Sequence, residues 1–399
     1  MEGLSSCGLL CLNQATRSVS CSLGDFDCIC SNAQFMVDAQ ACGIQNCSIK
    51  DNLRSMRYLY DTCDYPVVVD NKIYPVVAIG GGMMSTLAVS LRIAGRLIGS
   101  RLGLDDIAIL ISQVVVLAIT IVAILLNCIG LGKDMWFLSF HDITRIIHIC
   151  FCFEGLYIAS ITLTKVSMLL LFLRLFPDEN FRRATYFVLA FTTCWGTATI
   201  FALIFACKPI SYFWHMWDGE HEGKCISHVP IIWTHSIINI SLDVVIIGLP
   251  VTTLAKMNLP LGKKIGVCSM FAVGILVTAF SIFRFTASLS MAMTRNITKT
   301  FTPMGTWSLV EVYLATISVC MPGIRAFFNY TYHRLQPKWF GYSSSGRSPG
   351  GSNNENGGAN ANLNEFIPAP REVTSGTFQS ANREQGEFIR LQEMHVFKT

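Results

Sequence analysis

From residue 73 onward the chain carries seven apolar runs, at about 73–95, 105–129, 146–172, 185–206, 230–253, 266–290 and 307–328. Each has roughly the 20 residues that a helix needs to cross a hydrocarbon core. No sustained strand alternation and no internal repeat competes with them, so the expected fold is all-α, with a seven-helix transmembrane bundle and the lipid bilayer as its first partner. Composition agrees, since 52% of residues are hydrophobic and 14% charged, against about 25% charged in soluble domains. A formal net charge of +4 over 399 residues is no basic footprint, and no nucleic-acid partner is expected.

Basic residues near the span ends set the orientation. With the N-terminus extracellular, the inner loops hold Arg92, Arg96 and Arg101, then Arg174, Arg182 and Arg183, then Lys256, Lys263 and Lys264, and finally Arg325, Arg334 and Lys338. The outer loops hold fewer: Lys133, Arg145, Lys208, Lys224, Arg295 and Lys299. An odd number of spans then puts the C-terminus in the cytoplasm. After Tyr332 the composition turns to Ser, Gly, Asn and Glu, and residues 336–399 read as a disordered cytoplasmic tail.

Of the sixteen cysteines, eight fall before residue 70, spaced C-x3-C-x9-C-x6-C-x-C-x11-C-x4-C-x15-C from Cys7 to Cys63. A segment this short buries too little apolar surface to fold unaided, so disulfides are expected to staple it, in an oxidising compartment. That agrees with an extracellular N-terminus. Eight cysteines allow 105 pairings, and spacing alone selects none. MEGLSS is no signal peptide, so either the first span translocates its own N-terminus or the start lies upstream. The other cysteines read mostly as core- or lipid-facing thiols. Cys207, at the outer end of the fourth span, and Cys225, in the second outer loop, are a candidate bridge holding SYFWHMWDGEHEGK over the bundle mouth.

Polar groups inside a membrane are costly, and each is by default a functional or packing device. Glu154 and Lys165 in the third span lie eleven residues apart, on one face but about 16 Å apart along the axis. Each therefore needs a partner from another helix. Asp243 in the fifth span and Glu311 in the seventh are the carboxylates within reach of Lys165, and Arg284 in the sixth answers any of the acids. Ser160 and Ser167 share a different face and read as packing hydroxyls. The seventh run contains no lysine, so no retinal is expected. Arg92, Arg96 and Arg101, followed by Asp105 and Asp106, read as topology signals and dipole complements at a helix start. Pro250 and Pro322 are expected to kink or terminate their helices. Asn296-Ile297-Thr298 is a candidate glycosylation site; Asn46-Cys47-Ser48 is discounted because its cysteine is expected to be bridged. The chain lacks H-E-x-x-H, G-x-S-x-G and P-loop motifs, and His215, His221, His228 and His235 lack metal-ligand spacing, so no enzyme is expected.

The eight-cysteine segment resembles the CFEM domain, an extracellular module of fungi, over about residues 1–65 and defines a first domain at 1–70. The resemblance implies the pairs Cys7–Cys47, Cys11–Cys42, Cys21–Cys28 and Cys30–Cys63. Some members bind haem on a flat apolar platform through an aspartate in a D-x-x-C position. Asp25 in LGDFDCIC stands there, with Asp27 as backup and Leu23, Phe26, Phe35 and Met36 as candidate platform residues. A carboxylate favours ferric over ferrous iron. As a bare residue Asp25 reads as the cap of a short helix or turn after Gly24, and it is the family position that sets a ligand role beside that reading.

LRIAGRLIGSRLGLDDIAIL, GLGKDMW, LTKVSMLLLFLRLF, CKPISYFW, NISLDVVIIGLP and WSLVEVYLATISVCMPGIR resemble, in that order, the fungal rhodopsin-like membrane domain over about residues 73–335. Joined to a CFEM domain, this implies a GPCR-like receptor of the plasma membrane, in a family associated with infection. It would sense an unknown extracellular cue and relay it to cytosolic partners, a heterotrimeric G protein among them. The alternatives are a haem or iron acquisition protein and a membrane-anchored adhesin.

Overall fold

The computed structural model describes residues 4–22, 24–67, 72–99, 102–254, 261–293 and 296–339. The tail expected beyond residue 339 and the inner-loop residue Lys256 lie outside the described residues.

Four short helices build the cysteine module, each begun by a side chain suited to the free amides of a first turn. Ser5 caps α1 (Ser6–Val19), accepting from the Gly8 amide at 3.2 Å. Asp25 caps α2 (Phe26–Ser31), Asn32 caps α3 (Ala33–Asn46) and Ser48 caps α4 (Ile49–Thr62). Their apolar stripes close on a small core of Leu12, Ala15, Ile29, Phe35, Ala39, Met56 and Leu59. Four disulfides surround it, joining Cys7–Cys47, Cys11–Cys42, Cys21–Cys28 and Cys30–Cys63. These are the pairs that the resemblance implies. The Tyr65 hydroxyl donates to the Cys30 carbonyl and holds the chain leaving α4 against the module.

Beyond the module come α5 (Ile73–Gly99), α6 (Leu104–Ile129), α7 (Phe140–Leu175) and α8 (Glu179–Ile204). A hairpin of β1 (Cys207–Lys208) and β2 (Lys224–Cys225) encloses the short α9 (Tyr212–His215), and α10 (His228–Leu254), α11 (Leu261–Met293) and α12 (Ile297–Trp339) follow. Among the described residues, seven helices are long and apolar enough to cross a membrane. They pack as a closed ring in the order α5, α6, α7, α8, α10, α11, α12, and α7 also packs against α12 across the middle. Large apolar side chains such as Val76, Met83, Val114, Phe187 and Ile275 face outward, more than half exposed, as lipid requires and water would penalise.

The helices outrun the expected spans where the hydrophobic signal fades. Helix α7 gains turns at both ends and starts at Ser139, whose hydroxyl oxygen accepts from the Asp142 amide at 3.1 Å. Helix α12 continues to Trp339, so residues 336–339 are helix and not tail. Pro250 and Pro322 lie inside α10 and α12 and terminate neither, because neighbouring helices tolerate a missing amide hydrogen bond inside a bundle. Close packing has its own sequence mark in the run Gly80–Gly82. The Tyr313 ring lies where a Cβ on Gly81 would stand, and its hydroxyl bonds the Ala78 carbonyl at 3.1 Å and the Thr120 hydroxyl at 2.8 Å.

The module is seated on the bundle. Tyr60 on α4 packs on Trp136 and Phe137, with ring centroids 5.1 and 5.6 Å apart. Trp136 touches both the module core and the main bundle core, and Leu53 of α4 belongs to the latter. Arg57 donates to the Phe137 carbonyl at 3.5 Å.

Candidate functional site

Helix α7 runs past three groups of polar contacts among the described residues. At its start, Thr144 accepts a hydrogen bond from the Trp217 indole at 3.0 Å. Trp217 lies in the strap between β1 and β2, which the Cys207–Cys225 disulfide closes. The next residue, Asp218, meets Lys50 of the module at 3.5 Å, and Lys50 also meets Glu220 at 2.5 Å. Burial raises the Asp218 carboxyl, but the Glu220 amide, the His221 ring and Lys50 outweigh it and leave it below the usual carboxylate range. The hydrogen bond with Glu220 raises Lys50 above its ordinary value. Module, strap and α7 are thus joined by side chains from three separate parts of the chain.

Deeper in the bundle, Glu154 pairs with Arg284 of α11 at 3.1 Å. The guanidinium also donates to Ser308 and Ser236 and lies 4.0 Å over the Tyr157 ring. One turn on, the Tyr157 hydroxyl donates to Glu311 at 2.9 Å. Glu311, wholly buried, also accepts from Asn239 and Ser281, each at 2.7 Å. Lys165 pairs with Asp243 at 2.9 Å and donates to the side chain and the carbonyl of Asn239 at 2.7 and 2.8 Å. Lys165 therefore reaches Asp243 directly and Glu311 through Asn239. Glu154 and Lys165, which were expected to need partners from other helices, and the candidate partners Asp243, Arg284 and Glu311 are all engaged in one network.

A second cluster closes the far end of α7, and here the sequence reading is corrected. Arg92, wholly buried, binds Asp105 at 2.7 Å and Asp106 at 3.0 Å and donates to the Val319 carbonyl at 2.5 Å. Arg96 and Arg174 approach the same two aspartates, at 3.3 and 3.2 Å from Asp105. Asp106 does cap its helix, accepting from the Gly103 amide at 3.1 Å. Arg92 is nevertheless no surface topology signal but the centre of a buried ionic cross-link between α5, α6, α7 and α12. One sign was available, because Arg92 falls inside the expected span 73–95, where an ionisable side chain marks a site by default. Ser167 donates to the Asp105 carbonyl at 2.8 Å and ties this cluster to α7. Ser160 packs without a hydrogen-bond partner for its hydroxyl. Tyr157, Asn239 and Ser281 were not singled out from the sequence. Their signal is spacing alone, three or four residues from Glu154, Asp243 and Arg284 on the same helix faces.

Two further candidates take other roles. Asn296 does not present its sequon to solvent: its amide donates to Asp134 at 2.6 Å, while Thr298 is buried and donates to the Lys133 carbonyl at 2.8 Å. It is a clamp on the loop before α7. Asp25 accepts from the Cys28 amide at 3.1 Å and works as a cap. Phe35 is buried in the module core, Met36 packs against it, Phe26 is exposed, and Leu23 lies outside the described residues. Phe35 is thus sealed in the core while Phe26 stands at the surface, and these two rings do not share one exposed platform.

Comparison with known proteins agrees with this architecture. The CFEM domain matches residues 1–64, and the fungal rhodopsin domain matches residues 91–330. A SAT4 family membrane protein of Emericella nidulans is 28% identical over 45% of this chain and 46% of its own length. Satratoxin biosynthesis SC1 cluster protein 4 of Stachybotrys chartarum is 25% identical over 49% of this chain and 70% of its own. Fugralins biosynthesis cluster protein 2 of Gibberella zeae is 22% identical over 55% and 56%. The chain thus spans about half the length of the first and third of these relatives. No solved structure matches it. With the rhodopsin domain covering more than half of its residues and the ring of seven helices in place, the chain belongs to the fungal rhodopsin domain family and carries a CFEM domain at its N-terminus.

Proposed function

We propose that this membrane protein is a non-enzymatic, GPCR-like receptor of the plasma membrane. The CFEM domain faces outside and meets the cue, and the bundle carries the response to the cytoplasmic side. One observation carries the reading. Helix α7 touches the strap that grips the module at one end and the Arg92 cluster at the other, about 45 Å apart, with buried polar contacts between them. A passive anchor needs no continuous chain of this kind, since charges in a bundle are costly to bury and close packing with scattered polar contacts also holds helices together. The orientation is supported by the disulfides of the module and by the basic residues at the opposite end, where Arg182 and Arg183 stand exposed. That basic surface suits a cytosolic partner, and the family resemblance makes a heterotrimeric G protein the first to test.

The test compares the full chain with Lys165→Met and with Lys165→Met/Asp243→Leu in cells lacking the native protein, at equal surface abundance. The double variant removes both charges of that pair together. Loss of the surface-dependent transcriptional response in both, with the module still oxidised and antibody-accessible, is the expected result. A normal response from the double variant would sink the relay and leave an anchored adhesin. For iron handling, a ferric haem titration of the full chain in nanodiscs is expected to show no saturable absorbance change that Asp25→Ala removes.

A further inference from the structure

Beneath the strap, on the module side of the bundle, lies a cavity of about 310 Å³, within the size range of small-molecule sites. Its wall is apolar and aromatic, with Phe151, Phe213, Trp217, Trp233 and Phe301 among the lining side chains. Glu154 is the one carboxylate among them. It is 6% exposed, and while its Oε1 accepts from Arg284 at 3.1 Å, its Oε2 has no hydrogen-bond partner. A buried carboxylate oxygen without a donor is costly. The hydroxyl of Ser288, also on the wall, donates to the Phe285 carbonyl at 2.7 Å and does not serve it.

We infer that this cavity binds a neutral, mainly apolar and aromatic molecule that presents one N–H or O–H donor to Glu154 Oε2. Charge selects against other ligands. Arg284 already balances Glu154, so a cationic ligand would face the guanidinium uncompensated, and an anionic one would face the free oxygen. The roof gives occupancy a route outward. Met216 and Trp217 line the cavity from the strap, and the following residue, Asp218, holds Lys50 of the CFEM domain. A ligand that shifts the strap therefore changes the seat of the module, and one that pulls on Glu154 loads Arg284 and the network below. The inference deepens the receptor reading and rests on it for the step from occupancy to signal.

The test uses the full chain in lipid nanodiscs, with carbazole as probe and dibenzofuran as a control of the same shape in which an ether oxygen replaces the N–H. Binding is read as saturable fluorescence change above empty nanodiscs. Carbazole is expected to bind at least about tenfold tighter than dibenzofuran, since the latter sets an acceptor against a carboxylate. Glu154→Gln keeps an oxygen for Arg284 but turns an amide N–H toward the cavity, and is expected to remove that preference. Should Glu154→Gln fail to fold, Val229→Trp fills the cavity with the ion pair intact and is expected to abolish saturable binding. No saturable carbazole binding, equal affinity for the two probes, or binding that survives Val229→Trp would each overturn the inference. Binding does not require the relay. A chain that binds but never signals sinks the receptor reading alone, and one that signals but never binds carbazole sinks this site alone.

Discussion

In the CFEM domain four covalent bridges ring a small apolar core, and most charged side chains face outward. In the bundle the charged side chains face inward, as the Lys165–Asp243, Arg284–Glu154 and Arg92–Asp105 pairs show, and many large apolar ones face out. The difference follows from the solvent. In water a domain this small buries too little apolar surface to hold itself, so covalent cross-links supply what packing cannot. Lipid offers no hydrophobic drive between helices, and polar contacts and close packing take over as the specific glue. The two regions should therefore fail under different insults.

Reduction should separate them most sharply. Each bridge contributes about 2–5 kcal/mol, so loss of all four removes as much as the whole stability of a small domain. In nanodiscs with excess reductant, trypsin should cut at Lys50, Arg54 and Arg57 while the bundle keeps its helical circular dichroism. Bundle helices that melt together with the module would break the comparison. The converse insult is Arg92→Met, which takes from Asp105 and Asp106 their fully buried partner and leaves them only Arg96 and Arg174. One lost partner in a buried pair costs about 3–5 kcal/mol, and surface abundance should collapse while module fragments recovered from the cell remain oxidised. Adding Asp106→Asn should restore part of that abundance.

Smaller changes sharpen the picture at the boundary and inside the bundle. Tyr313→Phe removes the hydroxyl bridging α5 and α6, and should lower bundle stability by about 1 kcal/mol in a thermal melt. Tyr60→Leu keeps apolar bulk but loses the ring contacts with Trp136 and Phe137, about 0.5–1.5 kcal/mol. It should raise hydrogen exchange in α4 before any bundle helix responds. The smallest effect is a pH dependence of docking. The Asp218 carboxyl is held below its usual range, so its contribution is complete above the ordinary value of about 3.9 and fades as pH falls further, through the depressed value. Cross-linking of α4 to the strap should weaken only under such acid conditions, and Lys50→Met should flatten the profile.

The spans were legible because hydropathy is the quantity that lipid selects, whereas the caps Ser5, Asn32 and Ser48 that start the module helices were not read from the sequence. Span ends were not legible, since the outer turns of α7 and α12 are amphipathic and look like loop to a hydropathy window. The charged members of the network showed themselves as charges out of place. Tyr157, Asn239 and Ser281, which satisfy most of Glu311, carry no charge to betray them. Arg92 was misread because a basic residue near a span end has a ready explanation in topology, even where it lies inside the span. Asp25 admitted two readings, cap and ligand, and the cap is the one that the geometry displays.

Trp136 packs against two cores at once, one on each side of the linker at residues 65–72. Anyone grafting this module onto another bundle, or recombining two relatives, would cut in that linker, where the sequence looks divisible. The true seam is three-dimensional. A chimera joined there leaves Tyr60 and Leu53 facing a foreign surface; carrying residues 134–140 along with the module keeps the Trp136 and Phe137 contacts, and Lys50 still needs the strap's Asp218 and Glu220.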